Sequence, residues 1–213
     1  MYAIGHFALA YFAAKGTSRA LKTTLNLPLL LALSVLPDVD LILGYLTGIH
    51  HRVITHSIIM YTLVLVPFLY LYGKRALPYY AALLTHSLIG DFVSGGLGFL
   101  WPITDEWFGL STVAPNSTMS VVAELALFAA SLIVMIKTRD IQSLLKPSRN
   151  NLLLIIAFGA LLGPLVNMGV GLEGSLPLLL WAPSLFWLCI FGYSMLSEVR
   201  QQLKKHPNHL VSA

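Results

Sequence analysis

Seven runs of predominantly apolar residues follow one another along the chain, near 2–15, 27–46, 54–73, 76–92, 118–136, 152–172 and 176–196, separated by short segments that hold almost all the Lys and Arg. A water-soluble fold of 213 residues could not hide that much apolar surface: 10% of the residues are charged and 57% hydrophobic, against roughly 25% charged in ordinary soluble domains. A bilayer core of about 30 Å takes about 20 apolar residues per crossing. The expected architecture is therefore all-α: a polytopic transmembrane bundle of about seven helices forming one integral membrane domain. Within it, the polar residues that could do chemistry fall mainly in 1–104, 118–196 reads as helical scaffold, and 197–213 as a polar cytoplasmic tail. The first run is short for a crossing, and the second contains Pro37, which removes a backbone hydrogen bond and breaks or kinks a helix.

The basic residues orient the bundle. With the N-terminus outside, seven crossings bring the C-terminus to the cytoplasm. Lys15, Arg19, Lys22, Lys74, Arg75, Lys137, Arg139, Lys146, Arg149, Arg200, Lys204 and Lys205 then lie on the cytoplasmic side, twelve of the 13 basic residues, and Arg52 alone lies outside. That is a strong positive-inside bias. Residues 1–14 carry no Lys or Arg, so they lack the basic start of a cleavable signal and are expected to stay in the mature chain. The single cysteine, Cys189, excludes an internal disulfide and a thiolate cluster. The basic residues are scattered over short loops without a basic helix or aromatic platform, which speaks against a nucleic-acid partner.

An ionisable side chain at the centre of a membrane helix costs at least about 2.5–3.5 kcal/mol on insertion scales, so it is usually paired or bound to metal and marks function. His6, Asp38, Asp40, His86, Asp91 and Glu124 stand within apolar runs, and His50, His51 and His56 surround the turn between the second and third. At 1.5 Å per residue from the outer helix ends, His6 lies about 6 Å deep, His56 about 3 Å, Asp38 and Asp40 roughly 9–12 Å, and His86 and Asp91 roughly 9 and 2 Å. All fall in the outer half, although the orientation made no use of them. One shared pocket facing the extracytoplasmic side is the economical reading.

Local sequence fits this. In Leu36-Pro37-Asp38-Val39-Asp40 a proline interrupts the helix just before two carboxylates, and broken membrane helices are tolerated where they line a cavity; the plainer reading is a kink with a solvated Asp pair. In His51-Arg52-Val53-Ile54-Thr55-His56-Ser57, two imidazoles flank a guanidinium, and the hydroxyls could orient a ligand ring. Arg52 suits a substrate phosphate or carboxylate, or equally a lipid headgroup. His86 and Asp91 are five apart, which in an ideal helix points them about 140° apart. Either a π-bulge near Gly90 swings Asp91 inward, or Asp91 lies outside the ligand set. Glu124 reads as a general base or extra ligand, or as a carboxylate bonded to a neighbouring helix. His206 and His209, in the tail, are given no role. Mixed imidazole and carboxylate donors suit Zn²⁺, Mn²⁺ or Fe²⁺ better than Ca²⁺. Two such ions about 3.5–4 Å apart would use all the candidate ligands, activate a water and stabilise the leaving oxygen of a phosphoester.

Gly5-His6, Leu36 to Asp40, His51 to Ser57, and His86 to Asp91 followed by Leu100-Trp101-Pro102 together resemble the YdjM-like family of membrane-bound metal-dependent hydrolases, over roughly residues 1–104. That family is distantly similar to zinc-dependent phospholipase C and single-strand nucleases. The resemblance implies phosphoester hydrolysis, with His6, Asp38, His51, His56 and His86 as metal ligands and Asp40 and Asp91 on or just behind the metal. The family spaces its last His and Asp four apart, and this chain five.

The expected protein is thus an integral cell-membrane hydrolase. Metal at His6, Asp38, Asp40, His51, His56, His86 and Asp91, with Arg52, Asp40 and Glu124 assisting, would act on a lipid or amphiphilic phosphoester reaching it sideways. A metal or proton transporter and a non-catalytic protein stapled by metal are the rivals. A transporter needs polar residues continuing to the cytoplasmic side, and the last three runs supply almost none beyond Glu124 and Asn167. In intact cells carrying Cys189→Ser, a membrane-impermeant maleimide should label Asp105→Cys and not Lys74→Cys; the reverse pattern overturns the orientation.

Overall fold

Lipid offers backbone groups no hydrogen-bonding partner, so a chain of this composition is held to helix wherever it does not pack against itself. The computed structural model describes residues 1–41, 50–110, 112–166 and 176–205, and among them the only β-pairing is a single bridge between Leu97 and Phe108. Among the described residues seven helices carry the fold: α1 Ala3–Leu21, α2 Leu27–Leu33, α3 Ile58–Tyr72, α4 Leu77–Thr85, α5 Thr118–Lys137, α6 Leu154–Leu165 and α7 Trp181–Lys205. A short helix, Asp140–Leu144, follows α5, and a π-turn over His86–Asp91 continues α4. Three stretches of the described residues, Ile58–Ser94, Thr118–Lys137 and Leu178–Lys205, have the length and apolar character to cross a bilayer. The first is interrupted at Gly73, whose φ of +56° favours glycine, and the 3₁₀ turn Gly73–Ala76 separates α3 from α4.

Three boundaries depart most from the apolar pattern, the last being the end of α7, which continues past residue 196 to Lys205 and takes in the first residues expected as tail. The first helix runs past residue 15 to Leu21, because Lys15 is neutralised by Asp140 and the helix ends only at Lys22, in the left-handed conformation. The second helix begins where Asn26 accepts a hydrogen bond from the Leu29 amide and Pro28 occupies the first turn, but it stops at Leu33. Pro37 then sits in a 3₁₀ turn, Leu36–Val39. Residues 42–46 of that run and 167–172 of the sixth lie outside the described residues, as do Asn167, His206 and His209.

α1 is the central helix, with Ile4, Phe7, Ala10, Tyr11 and Ala14 all buried. Phe7 meets Trp187 and Phe191 of α7 edge-on at 6.2 and 5.6 Å, and Phe128 of α5 meets Trp187 at 6.5 Å, separations typical of favourable aromatic pairs. Leu30 and Leu31 of α2 and Leu154, Ala157 and Leu161 of α6 complete the core. α3 buries little beyond Tyr61 and leaves Leu63, Val64, Val66, Phe68 and Leu71 exposed, a surface suited to lipid and not to water.

At the far end of α1, Lys15 Nζ lies 2.5 Å from Asp140 Oδ2, which also accepts hydrogen bonds from Tyr11 (2.6 Å) and Thr138 (2.7 Å). Burial pushes the Asp140 carboxyl up, but the bonds from Lys15, Tyr11 and Thr138 outweigh it and hold its pKa below the usual carboxylate value. With the folded pKa depressed, the stabilisation is present above the ordinary carboxylate pKa and is lost as pH falls through the lowered folded value. Asp140→Asn should therefore lower stability at pH 7 by about 1.5–3 kcal/mol, and its difference from wild type in thermal unfolding should shrink on acidification. A difference independent of pH would assign the residue to packing instead.

Candidate metal centre

Asp38, Asp40, His56, His86 and Asp91 sit where the helix geometry breaks, whereas His6 lies within α1. Pro37 enters the 3₁₀ turn that carries Asp38 and leads into Asp40. His56 ends a second 3₁₀ turn, Ile54–His56, just before Ser57 caps α3 by accepting from the Met60 amide. His86 and Asp91 open and close the π-turn. Since π hydrogen bonds run from i to i+5, residues five apart return to one face, and the spacing that an α-helix would spoil brings both side chains inward. Of the two alternatives left open by the sequence, the bulge is the one realised.

Asp38, His56, His86 and Asp91 each place one ligand atom within 4.8 Å of all the others. His86 Nδ1 is 2.8 Å from the Ser34 carbonyl oxygen. A carbonyl only accepts, so Nδ1 carries the proton, and in the neutral ring Nε2 presents a lone pair. His56 Nδ1 faces Thr55 Oγ1 at 3.0 Å and Asp40 Oδ2 at 3.4 Å, which turns its Nε2 the same way. The two Nε2 atoms are 3.2 Å apart. Asp91 Oδ2 lies 3.0 Å from His56 Nε2 and 3.3 Å from His86 Nε2; Asp38 Oδ1 lies 3.6 and 3.4 Å from the same atoms.

Such a gathering of lone pairs fits a cation. Zinc with nitrogen and oxygen ligands at about 2.0–2.1 Å in tetrahedral array spaces those ligands roughly 3.3 Å apart, and the five separations here run from 3.0 to 3.6 Å. Asp91 Oδ2 is buried and has no hydrogen-bond donor, the condition a bound ion would relieve. His56, His86 and Asp91 are at most 2% exposed, whereas the Asp38 side chain is 27% exposed and marks the side from which the centre is reached.

Behind this group, Asp40 accepts from the Arg52 amide at 3.1 Å and from the Thr55 hydroxyl, and its Oδ1 is 2.6 Å from His51 Nδ1. Asp40, His51 and His56 form a second set able to hold metal, sharing His56 with the first. His6 stands to one side: its ring stacks on His86 at 3.9 Å, Nε2 is 4.0 Å from Asp91 Oδ1, and neither ring nitrogen has a partner. Gly90 makes room for it, since any Cβ there would overlap the His6 ring.

Arg52 takes the left-handed conformation, φ +66°, its carbonyl accepting from the Gly98 amide at 2.7 Å. Its Nη2 donates to Asp91 Oδ1 at 3.4 Å, its Nε is buried without a partner, and Gly95 leaves space where a Cβ would come within 2.6 Å of Nη1. Glu124 is not brought to the cluster. Both its oxygens accept backbone N–H groups of the α1 start, which is the helix-bonded alternative and replaces the base or ligand expected above. His50 is exposed and joins neither set.

The family model described as YdjM inner membrane protein matches residues 1–171, well over half of the chain. The chain belongs to the YdjM inner membrane protein family. Comparison with curated proteins and with solved structures returned no match. The YdjM match runs beyond the motif-bearing segment to include α5 and α6. What the motifs could not disclose in this YdjM protein is the Ser34 carbonyl that sets the His86 tautomer. A main-chain oxygen leaves no signature in sequence.

His56→Ala and His86→Ala should each abolish tight transition-metal binding by the purified protein. Asp40→Asn should weaken it about 10–100-fold, the usual cost of losing a carboxylate behind a ligating imidazole. Metal content and competition titration read both effects, and undiminished binding by either alanine variant would remove that histidine from the centre.

Proposed function

We propose that the protein is a membrane-embedded, metal-dependent hydrolase of phosphoesters, acting on a lipid or other amphiphile from the extracytoplasmic side. The observation that carries this reading is the convergence of Asp38, His56, His86 and Asp91, one ligand atom of each within 4.8 Å of the others, with a guanidinium, Arg52, 3.4 Å from one of the four.

Asp38, His56, His86 and Asp91 would hold the ion, and two imidazoles with two carboxylates suit zinc, with manganese or iron as the other candidates. When bound, such an ion supplies Lewis acidity toward a phosphoryl oxygen and makes water a nucleophile near neutral pH. Arg52 pairs with the phosphate oxygens through the donors it does not use on Asp91, in a position fixed by the Gly98 bond and the space at Gly95. Asp40 orients two rings, holding Nδ1 of His51 and facing Nδ1 of His56. His51, with 29% of its side chain exposed, is left with Nε2 to exchange a proton at the mouth of the site. Burial of His56, His86 and Asp91 keeps bulk water out.

A second reading, a metal that only staples the bundle, is favoured by one feature: four protein donors from three segments can close a tetrahedral site, as in structural centres. Turnover separates the two. In nanodiscs with zinc, the protein should hydrolyse a phospholipid or a generic phosphodiester, and a chelator should abolish this. Arg52→Ala should lower kcat/KM about 100-fold, the scale for losing one charge-stabilising donor, while leaving metal content intact. Chelator-sensitive turnover absent across both substrate classes, with metal bound, would leave the staple.

A further inference from the structure

One carboxylate takes no part in the mechanism above, although it is entirely buried. Glu124, in α5, is 0% exposed; its Oε1 accepts from the Tyr2 amide at 2.8 Å and its Oε2 from the Gly5 amide at 3.3 Å. The first amides of a helix have no partner within the helix. Tyr2, at the cap position of α1, contributes no side-chain bond, and lipid supplies none. A carboxylate from a neighbouring helix meets this need for the Tyr2 amide and shares the Gly5 amide with the Tyr2 carbonyl oxygen, 3.1 Å away, and the positive end of the helix dipole favours its charge. Gly5 permits the approach: a Cβ there would stand 3.2 Å from Glu124 Cγ and would overlap the Met1 side chain.

The turn held in this way carries His6, buried, stacked on His86 and turned toward Asp91. Both its ring nitrogens lack partners, so no hydrogen bond of its own fixes the ring; its place follows from the backbone of α1 and from the gap at Gly90. We infer that Glu124 is a positioning residue which, by capping α1 across the bundle, holds His6 against His86 and Asp91 and so sets the metal affinity of the centre. This rests on the metal reading of the cluster.

The test is a thermodynamic cycle on the full-length protein in nanodiscs. Zinc is titrated against a competing chelator in wild type, Glu124→Gln, His6→Ala and the double variant. If Glu124 acts through His6, each single variant weakens zinc binding about tenfold or more, on the scale of groups behind a ligand, and the double variant is no weaker than His6→Ala. The visible spectrum of bound Co²⁺ should shift alike in both single variants, which a loss of bundle stability alone would not produce. Glu124→Gln binding zinc like wild type, or two effects that multiply in the double variant, overturns the inference. Should Glu124→Gln fail to fold, Gly5→Ala crowds the same contact and must weaken zinc binding, with no further loss when added to His6→Ala. Wild-type protein without zinc affinity would overturn the metal reading itself, and the positioning role with it.

Discussion

In lipid a backbone amide or carbonyl that leaves its helix has no water to bond, so every break in a helix must be met by protein. The breaks here are concentrated where the chemistry is: the 3₁₀ turns at Leu36–Val39 and Ile54–His56 and the π-turn at His86–Asp91. Their exposed groups are used and not left orphaned. The Ser34 carbonyl, freed as α2 ends, accepts from His86; the Arg52 amide bonds Asp40; the Arg52 carbonyl takes the Gly98 amide. The same constraint that confines the chain to helix thus determines which irregular turns it can keep, and those turns present the ligands.

The cluster is an electrostatic problem that a cation can solve. With both rings neutral, imidazole lone pairs 3.2 Å apart and carboxylate oxygens at 3.0–3.6 Å would repel one another in a medium that screens poorly. A divalent ion at their centre converts the repulsion into coordination. The surrounding groups are consistent with a site prepared for one: Asp40 behind His56, the Ser34 carbonyl behind His86, and Arg52 offsetting the outer oxygen of Asp91.

Much of this was legible residue by residue. Apolar run length specifies helices, and Pro37 specified a break, because lipid solvation and the missing proline amide are local properties. The end of α1 was not legible: Lys15 reads as the edge of an apolar run until Asp140, 125 residues away, neutralises it. Asp91 was ambiguous for a similar reason. Its five-residue distance from His86 is a fact of sequence, but whether the intervening turn is α or π depends on what packs around it, including the His6 ring in the space beside Gly90. Glu124 could be recognised as costly and therefore employed, yet its employer, the first turn of α1, lies 119 and 122 residues away.

By itself the sequence determined the membrane setting, the all-helical class and the identity of the groups able to bind metal, since these follow from hydropathy, backbone satisfaction and side-chain chemistry along short stretches. The tertiary structure alone decided which of those groups meet. Four of them converge to within 4.8 Å, His51 and Asp40 fall in behind, and Glu124 turns to a helix end. Convergence depends on helix rotation, on a π-turn and on main-chain oxygens, and these are settled only when all the segments pack at once.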